Sequence, residues 1–142
     1  MDINCFIEKI FLKHTEKEFE ALALSLYKHQ VEHNKIYNQY VNFLGVDWKG
    51  ASSMEEIAFL PAEFFKTHKV ITGEVQWEKV FHSSGSTGDP NSKHYVKNLE
   101  LYRQSITKGF ELEYGKLSEH IVLDILPNYK ENPNYSTIDM VE

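Results

Sequence analysis

The chain has 142 residues, a formal net charge of -6 and one cysteine. Its composition, with 42% apolar and 25% charged residues, is that of an ordinary folded domain, and no apolar run approaches the ~20 residues that span a membrane. The negative charge disfavours a general nucleic-acid binder, because clustered Lys and Arg hold phosphate backbones. One cysteine excludes an internal disulfide, and no secretory signal pattern is visible at the start, so we expect a cytoplasmic protein.

The first 50 residues are predicted to form a helical lead. Apolar side chains recur at helical spacing over residues 19–27, and Thr15 with Glu18 three positions later forms a capping box. A second helix is predicted over residues 36–44, ending near Gly45. Cys5 lies among apolar neighbours, and we expect it to be buried.

The next segment is predicted to change from helical to strand periodicity. Pro61 is expected to start a short helix through Phe65, with a carboxylate near its N-terminus. Strands are predicted at residues 70–71 and 74–81, with a turn at Gly73 between them. Phe59 and its aromatic neighbours at 64 and 65 are interpreted as core packing in preference to an acyl channel.

A hydroxyl- and glycine-rich segment follows the second strand. Gly85 and Gly88 can adopt positive φ, which lets the backbone approach a ligand closely. The hydroxyl donors are Ser83, Ser84, Ser86 and Thr87. The spacing excludes both the common nucleotide-triphosphatase loop and the dinucleotide-binding fingerprint. From these residues alone, a phosphate-binding loop and a plain Ser/Gly connection both remain open.

After this loop, a helix and a buried strand are predicted. Residues at helical spacing form one apolar face, and Gly115 is a plausible stop. These are Tyr95, Leu99, Tyr102, Ile106 and Phe110. The apolar run 120–126 fits a parallel strand. The predicted fold class is therefore α/β, a single domain with N-terminal helices packed on a βαβ-containing partial sheet, the βαβ core covering residues 55–142.

Three segments resemble a known family. The run SSGSTGDP at 83–90 is similar to the phosphate loop of the adenylate-forming superfamily, which includes acyl-CoA synthetases. The runs FLPAEFFKTHKV at 59–70, and ILPNY at 125–129 continuing to STIDM at 136–140, resemble the acyl-protein synthetase (LuxE-like) branch. The resemblance covers residues 55–142 and implies the N-terminal part of the adenylate-forming enzyme fold.

The resemblance implies ATP-dependent ligase and acyltransferase chemistry. ATP, with Mg²⁺, and a fatty or other carboxylic acid would give an acyl-adenylate and pyrophosphate, and the acyl group would pass to a thiol, such as that of an acceptor protein. The implied nucleotide-binding residues are Ser83, Ser84, Gly85, Ser86, Thr87, Gly88 and Lys93. Asn91 and Ser92 separate Lys93 from the family's usual lysine position. The family's adenine site, adenylation lysine and acyl-carrying cysteine would lie beyond residue 142, so we expect this chain to be inactive alone.

Two other interpretations compete with this one. His29, Glu32 and His33 fit the His-x-x-Glu-His zinc-protease pattern, but seven histidines make a chance match easy, and an exposed helix face explains the pattern better. The alternative from a different class is a non-catalytic binding or assembly module, with self-association through an exposed sheet edge. His82 and His94 flank the loop and are expected to contact phosphate, substrate carboxylate or a structural partner.

Overall fold

The computed structural model describes residues 3–83 and 91–121 and is mixed α/β, mostly helical, with a small antiparallel sheet. The described elements are α1 Ile3–Lys9, α2 Glu16–His33, α3 Lys35–Phe43, α4 Phe64–Thr67, β1 Lys79–His82, β2 Lys93–Val96 and α5 Leu99–Tyr114, with 3-10 turns at Met54–Glu56 and Leu117–Glu119. The chain divides into two compact units. The first comprises residues up to Val75 except Phe65–Thr67, and the described part of the second comprises those three residues and the residues from Gln76 onward.

Side-chain caps set the helix ends of the first unit. The amide of Thr15 donates to the Glu18 carboxylate at 2.8 Å, and the Glu18 amide donates to the Thr15 hydroxyl at 3.4 Å, so the predicted capping box is confirmed. Asn34 ends α2 and starts α3, since its side-chain oxygen accepts the Tyr37 amide at 3.1 Å. Gly45, at φ +68°, follows α3 as predicted.

The core of the first unit lies between α2 and α3. Val31 and Val41 are fully buried there, together with Tyr27, Tyr37 and Ala51. Burying each of these valine side chains contributes about 1.5–3 kcal/mol, so the contact between the two helices stabilises the unit.

Several predictions for the first unit are wrong. Residues 70–71 are not a strand, and the nearby Gly73 amide donates to the His33 carbonyl at 2.8 Å. The short helix is predicted to start at Pro61, but it begins at Phe64. Pro61 instead precedes a turn, and the Pro61 carbonyl accepts the Phe64 amide at 3.1 Å. Cys5 is exposed, since no residue of α1 is buried, and Phe59 is 72% exposed.

In the second unit, the loop segment joins two antiparallel strands. Lys79 pairs with Val96 and His82 pairs with Lys93, and the Glu78 amide extends the ladder by donating to the Val96 carbonyl at 2.9 Å. The predicted order of strand, loop and helix is therefore wrong, because Tyr95 belongs to β2. The predicted parallel strand at 120–126 lies outside the described residues except for its first two, which are not in a strand.

Helix α5 follows β2 directly. The Asn98 side chain caps its start by accepting the Leu101 amide at 2.8 Å, and the Glu78 carboxylate accepts the Leu99 amide at 2.8 Å. Gly115, at φ +85°, ends the helix as predicted. Phe81 of β1 is buried and packs on Tyr102 of α5 with ring centroids 5.0 Å apart. Within the described ranges, no helix is both long and apolar enough to cross a membrane.

Candidate functional site

The candidate site is built on the loop end of the β1–β2 hairpin. The Ser83 amide donates to the Ser92 carbonyl at 3.1 Å, and the Ser92 amide donates to the Ser83 hydroxyl at 3.0 Å. These two bonds join the two ends of the connecting segment directly beyond the last strand pair. The hydroxyl of Ser83 is therefore part of the hairpin closure.

The structure places two of the predicted nucleotide-binding residues at this end. Ser83 follows β1, and Lys93 begins β2 directly opposite His82. Lys93 is exposed and supplies a positive charge beside the loop. Ser84, Gly85, Ser86, Thr87 and Gly88 lie outside the described residues.

The two histidines at the hairpin end lie on opposite faces. Directly paired residues share a face and successive residues alternate, so His82 lies with Lys93, whereas His94 lies with Phe81. His94 lies 6.4 Å from the ring of Tyr102 and 6.5 Å from that of Phe65. The residue is exposed, but its surroundings remove enough water from the imidazole to lower the pKa of His94. Loss of hydration disfavours the charged form of His94, so Lys93 is the better partner for an anion.

Ser92 is the site residue that sequence reasoning missed. Its amide and carbonyl both bond to Ser83, a pairing across the connecting segment. The available signal was the run from Ser92 to Val96, which follows turn residues and contains the strand-forming Tyr95 and Val96. Treating that run as a second strand would have predicted a hairpin with serines at both ends.

A second constellation lies on α2. The rings of His29 and His33 are adjacent, with centroids 4.4 Å apart, and the Glu32 carboxylate lies 3.7 Å from His33 Nε2. Burial, reinforced by the neighbouring His33, lowers the pKa of His29. Across residues 3–83 and 91–121, no group of three His, Cys, Asp or Glu side chains is placed to hold one metal ion. The described residues thus provide no third protein ligand for a protease-type zinc centre.

The first unit also has a shallow apolar cleft of about 300 Å³. It is lined by Ile36, Gln39, Tyr40, Phe43, Phe64 and His68. Phe64 packs edge-on against Tyr40 at 5.4 Å and stacks on His68 at 5.2 Å, while Phe43 is 88% exposed. Phe64 therefore lines a surface cleft, and the prediction that it packs in the core is wrong for this residue.

Comparison of the chain with protein-family models, with curated proteins and with solved structures found no match.

Proposed function

We propose that the hairpin loop of this chain binds the phosphates of ATP and that the chain is the phosphate-loop part of an adenylate-forming enzyme, with the N-terminal portion of that fold. The whole enzyme would activate a fatty or other carboxylic acid and transfer the acyl group to a thiol. The observation that supports this proposal is the pair of hydrogen bonds between Ser83 and Ser92. These bonds fix the two ends of a loop that is rich in hydroxyls and glycines.

Fixing the loop ends reduces the entropy that the loop must lose when it wraps an anion. Backbone amides and hydroxyls bind phosphate without a formal charge, and Lys93 adds one at the base of the loop. Mg²⁺ would accompany the nucleotide, since it is held chiefly by phosphate oxygens, water and one or two carboxylates.

The chemistry proposed for the whole enzyme has two steps. A carboxylate oxygen attacks the α-phosphorus, the bond to the β-phosphate oxygen breaks, and pyrophosphate leaves. A thiolate then attacks the acyl carbon, and AMP leaves. Loop donors contribute to the first step, because negative charge on the departing pyrophosphate rises as that bond breaks.

Titration with Mg-ATP and with pyrophosphate tests the binding proposal. We expect saturable binding by calorimetry that Gly85→Val or Ser86→Ala weakens about tenfold, the scale of one or two lost hydrogen bonds. Ser105→Ala is the matched control, because its hydroxyl bonds the Tyr102 carbonyl within α5 at 2.7 Å. Absence of binding to both ligands by the folded wild-type chain would reject the proposal.

The second candidate is a non-catalytic assembly module. The nearly fully exposed Phe43 beside the apolar cleft favours it, since exposed apolar surface of this kind often marks an interaction site. Sedimentation at increasing concentration would show a dimer that Phe43→Ser abolishes. A dimer of this kind, without nucleotide binding, would favour the module over the enzyme part.

A further inference from the structure

His29 and His33 lie on one face of the last two turns of α2. Their ring centroids are 4.4 Å apart with an interplanar angle of 52°, so the two imidazoles are neighbours across a single helical turn. This separation of four residues is the arrangement in which two helical histidines bind one metal ion. The pair is accessible, since the side chain of His33 is 47% exposed.

The ring separation is close to that of a chelate. An ion bound at ~2.0–2.1 Å from one nitrogen of each ring would place the ring centres roughly 4.5–5 Å apart. The observed separation therefore requires only a small side-chain rotation.

The backbone that supports the pair is fixed on both sides of His33. The Asn34 amide donates to the Gln30 carbonyl at 2.8 Å, and the Gly73 amide donates to the His33 carbonyl at 2.8 Å. Because the final turn of α2 is fixed, both imidazoles are held close together. Metal binding then has to order little more than the two side chains.

The electrostatic surroundings favour a cation. The C-terminal end of a helix carries partial negative charge, and the Glu32 carboxylate lies 3.7 Å from His33 Nε2. Imidazole nitrogen selects Zn²⁺, Ni²⁺ and Cu²⁺, whereas Mg²⁺ prefers oxygen ligands. The site therefore differs chemically from the magnesium-nucleotide site proposed at the hairpin.

We propose that His29 and His33 form a two-imidazole site for a divalent transition-metal ion, with water in the other coordination positions. The open positions distinguish it from a closed structural zinc site, which has four protein ligands.

Calorimetric titration of the untagged chain with Ni²⁺ tests the site, with thermal unfolding as the second measurement. We expect one ion per chain and a rise in Tm of roughly 3–6 °C when free Ni²⁺ is about tenfold above its Kd. His29→Ala and His33→Ala should each weaken binding at least tenfold while circular dichroism remains that of the folded chain.

Two variants and one ion control for other binding modes. His120→Ala removes a histidine from the second unit, and Cys5→Ser removes the exposed thiol, so both should bind Ni²⁺ as the wild type does. Mg²⁺ should produce no shift in Tm. Wild-type indifference to Ni²⁺, or unchanged affinity in His29→Ala and His33→Ala, would overturn the proposal.

Discussion

Tyr27 and Tyr37 pack ring to ring in the core of the first unit, with centroids 5.9 Å apart, but only one of them uses its hydroxyl. Tyr37 donates to the Ala58 carbonyl at 2.6 Å, whereas the Tyr27 hydroxyl is buried and makes no hydrogen bond. Burial raises the pKa of both phenols. Two neighbouring tyrosines therefore differ in what their oxygens contribute.

Removing each hydroxyl separately should give different results. Tyr37→Phe leaves the Ala58 carbonyl without its partner and should lower the free energy of unfolding by about 1–2 kcal/mol. Tyr27→Phe removes an unpaired buried oxygen and should be neutral or stabilising. Urea unfolding of both variants measures the difference. Equal destabilisation by the two substitutions would show that Tyr27 has a partner.

The capping box at the start of α2 should make stability depend on pH. Hydrogen bonds from the Thr15 amide and hydroxyl, at 2.8 and 2.9 Å, lower the pKa of Glu18. The folded pKa is thus below the unfolded value of about 4.3. The carboxylate therefore stabilises the fold above that value, and its contribution is lost as pH falls through the folded pKa.

The difference in Tm between wild type and Glu18→Gln isolates this contribution from other carboxylates. We expect the wild type to be more stable at pH 7 and the difference to shrink as the pH falls below the unfolded value towards 3. A difference that is constant across this range would mean that the charge of Glu18 is not involved.

Local sequence signals predicted the helix ends well. The start of α2 is set by Thr15 and Glu18, and the ends of α3 and α5 are marked by Gly45 and Gly115. Each of these residues acts within about one helical turn, so the neighbouring sequence is enough to predict its effect. The pairing of β1 with β2 could not be predicted in the same way. Tyr95 also fits the apolar face of the following helix, and hydrogen bonds to residues earlier in the chain select the strand.

Burial and strand partners were the least predictable features. Residues 70–71 are apolar and β-branched, but the nearby Gly73 amide bonds the end of α2 and no strand forms there. Exposure of Cys5 likewise depends on how α1 packs, which its own sequence does not specify. At the site, composition indicated Ser83 and the family resemblance implied Lys93, whereas the role of Ser92 required the strand register.

The Ser83 hydroxyl can be tested without assuming a ligand. Ser83→Ala removes the acceptor of the Ser92 amide and should speed hydrogen exchange of that amide by roughly fivefold, equivalent to about 1 kcal/mol. Ser83→Thr keeps the hydroxyl and is the matched control. If the loop binds phosphate as proposed, Ser83→Ala should also weaken Mg-ATP binding several-fold. Unchanged exchange at Ser92 would show that this hydrogen bond does not close the hairpin.

Replacing Gly109, inside α5, and Gly115, at its C-terminal end, by alanine should change the free energy of unfolding in opposite directions. Gly109 lies inside the helix, and an added Cβ would meet no atom within 4 Å, so Gly109→Ala should stabilise the chain by about 0.5–1 kcal/mol through helix propensity. Gly115 has equal space but φ +85°, which an L side chain adopts only with strain. Gly115→Ala should therefore destabilise by about 1 kcal/mol. Urea unfolding of both variants measures the two effects, and stabilisation by Gly115→Ala would mean that α5 does not end at a residue with positive φ.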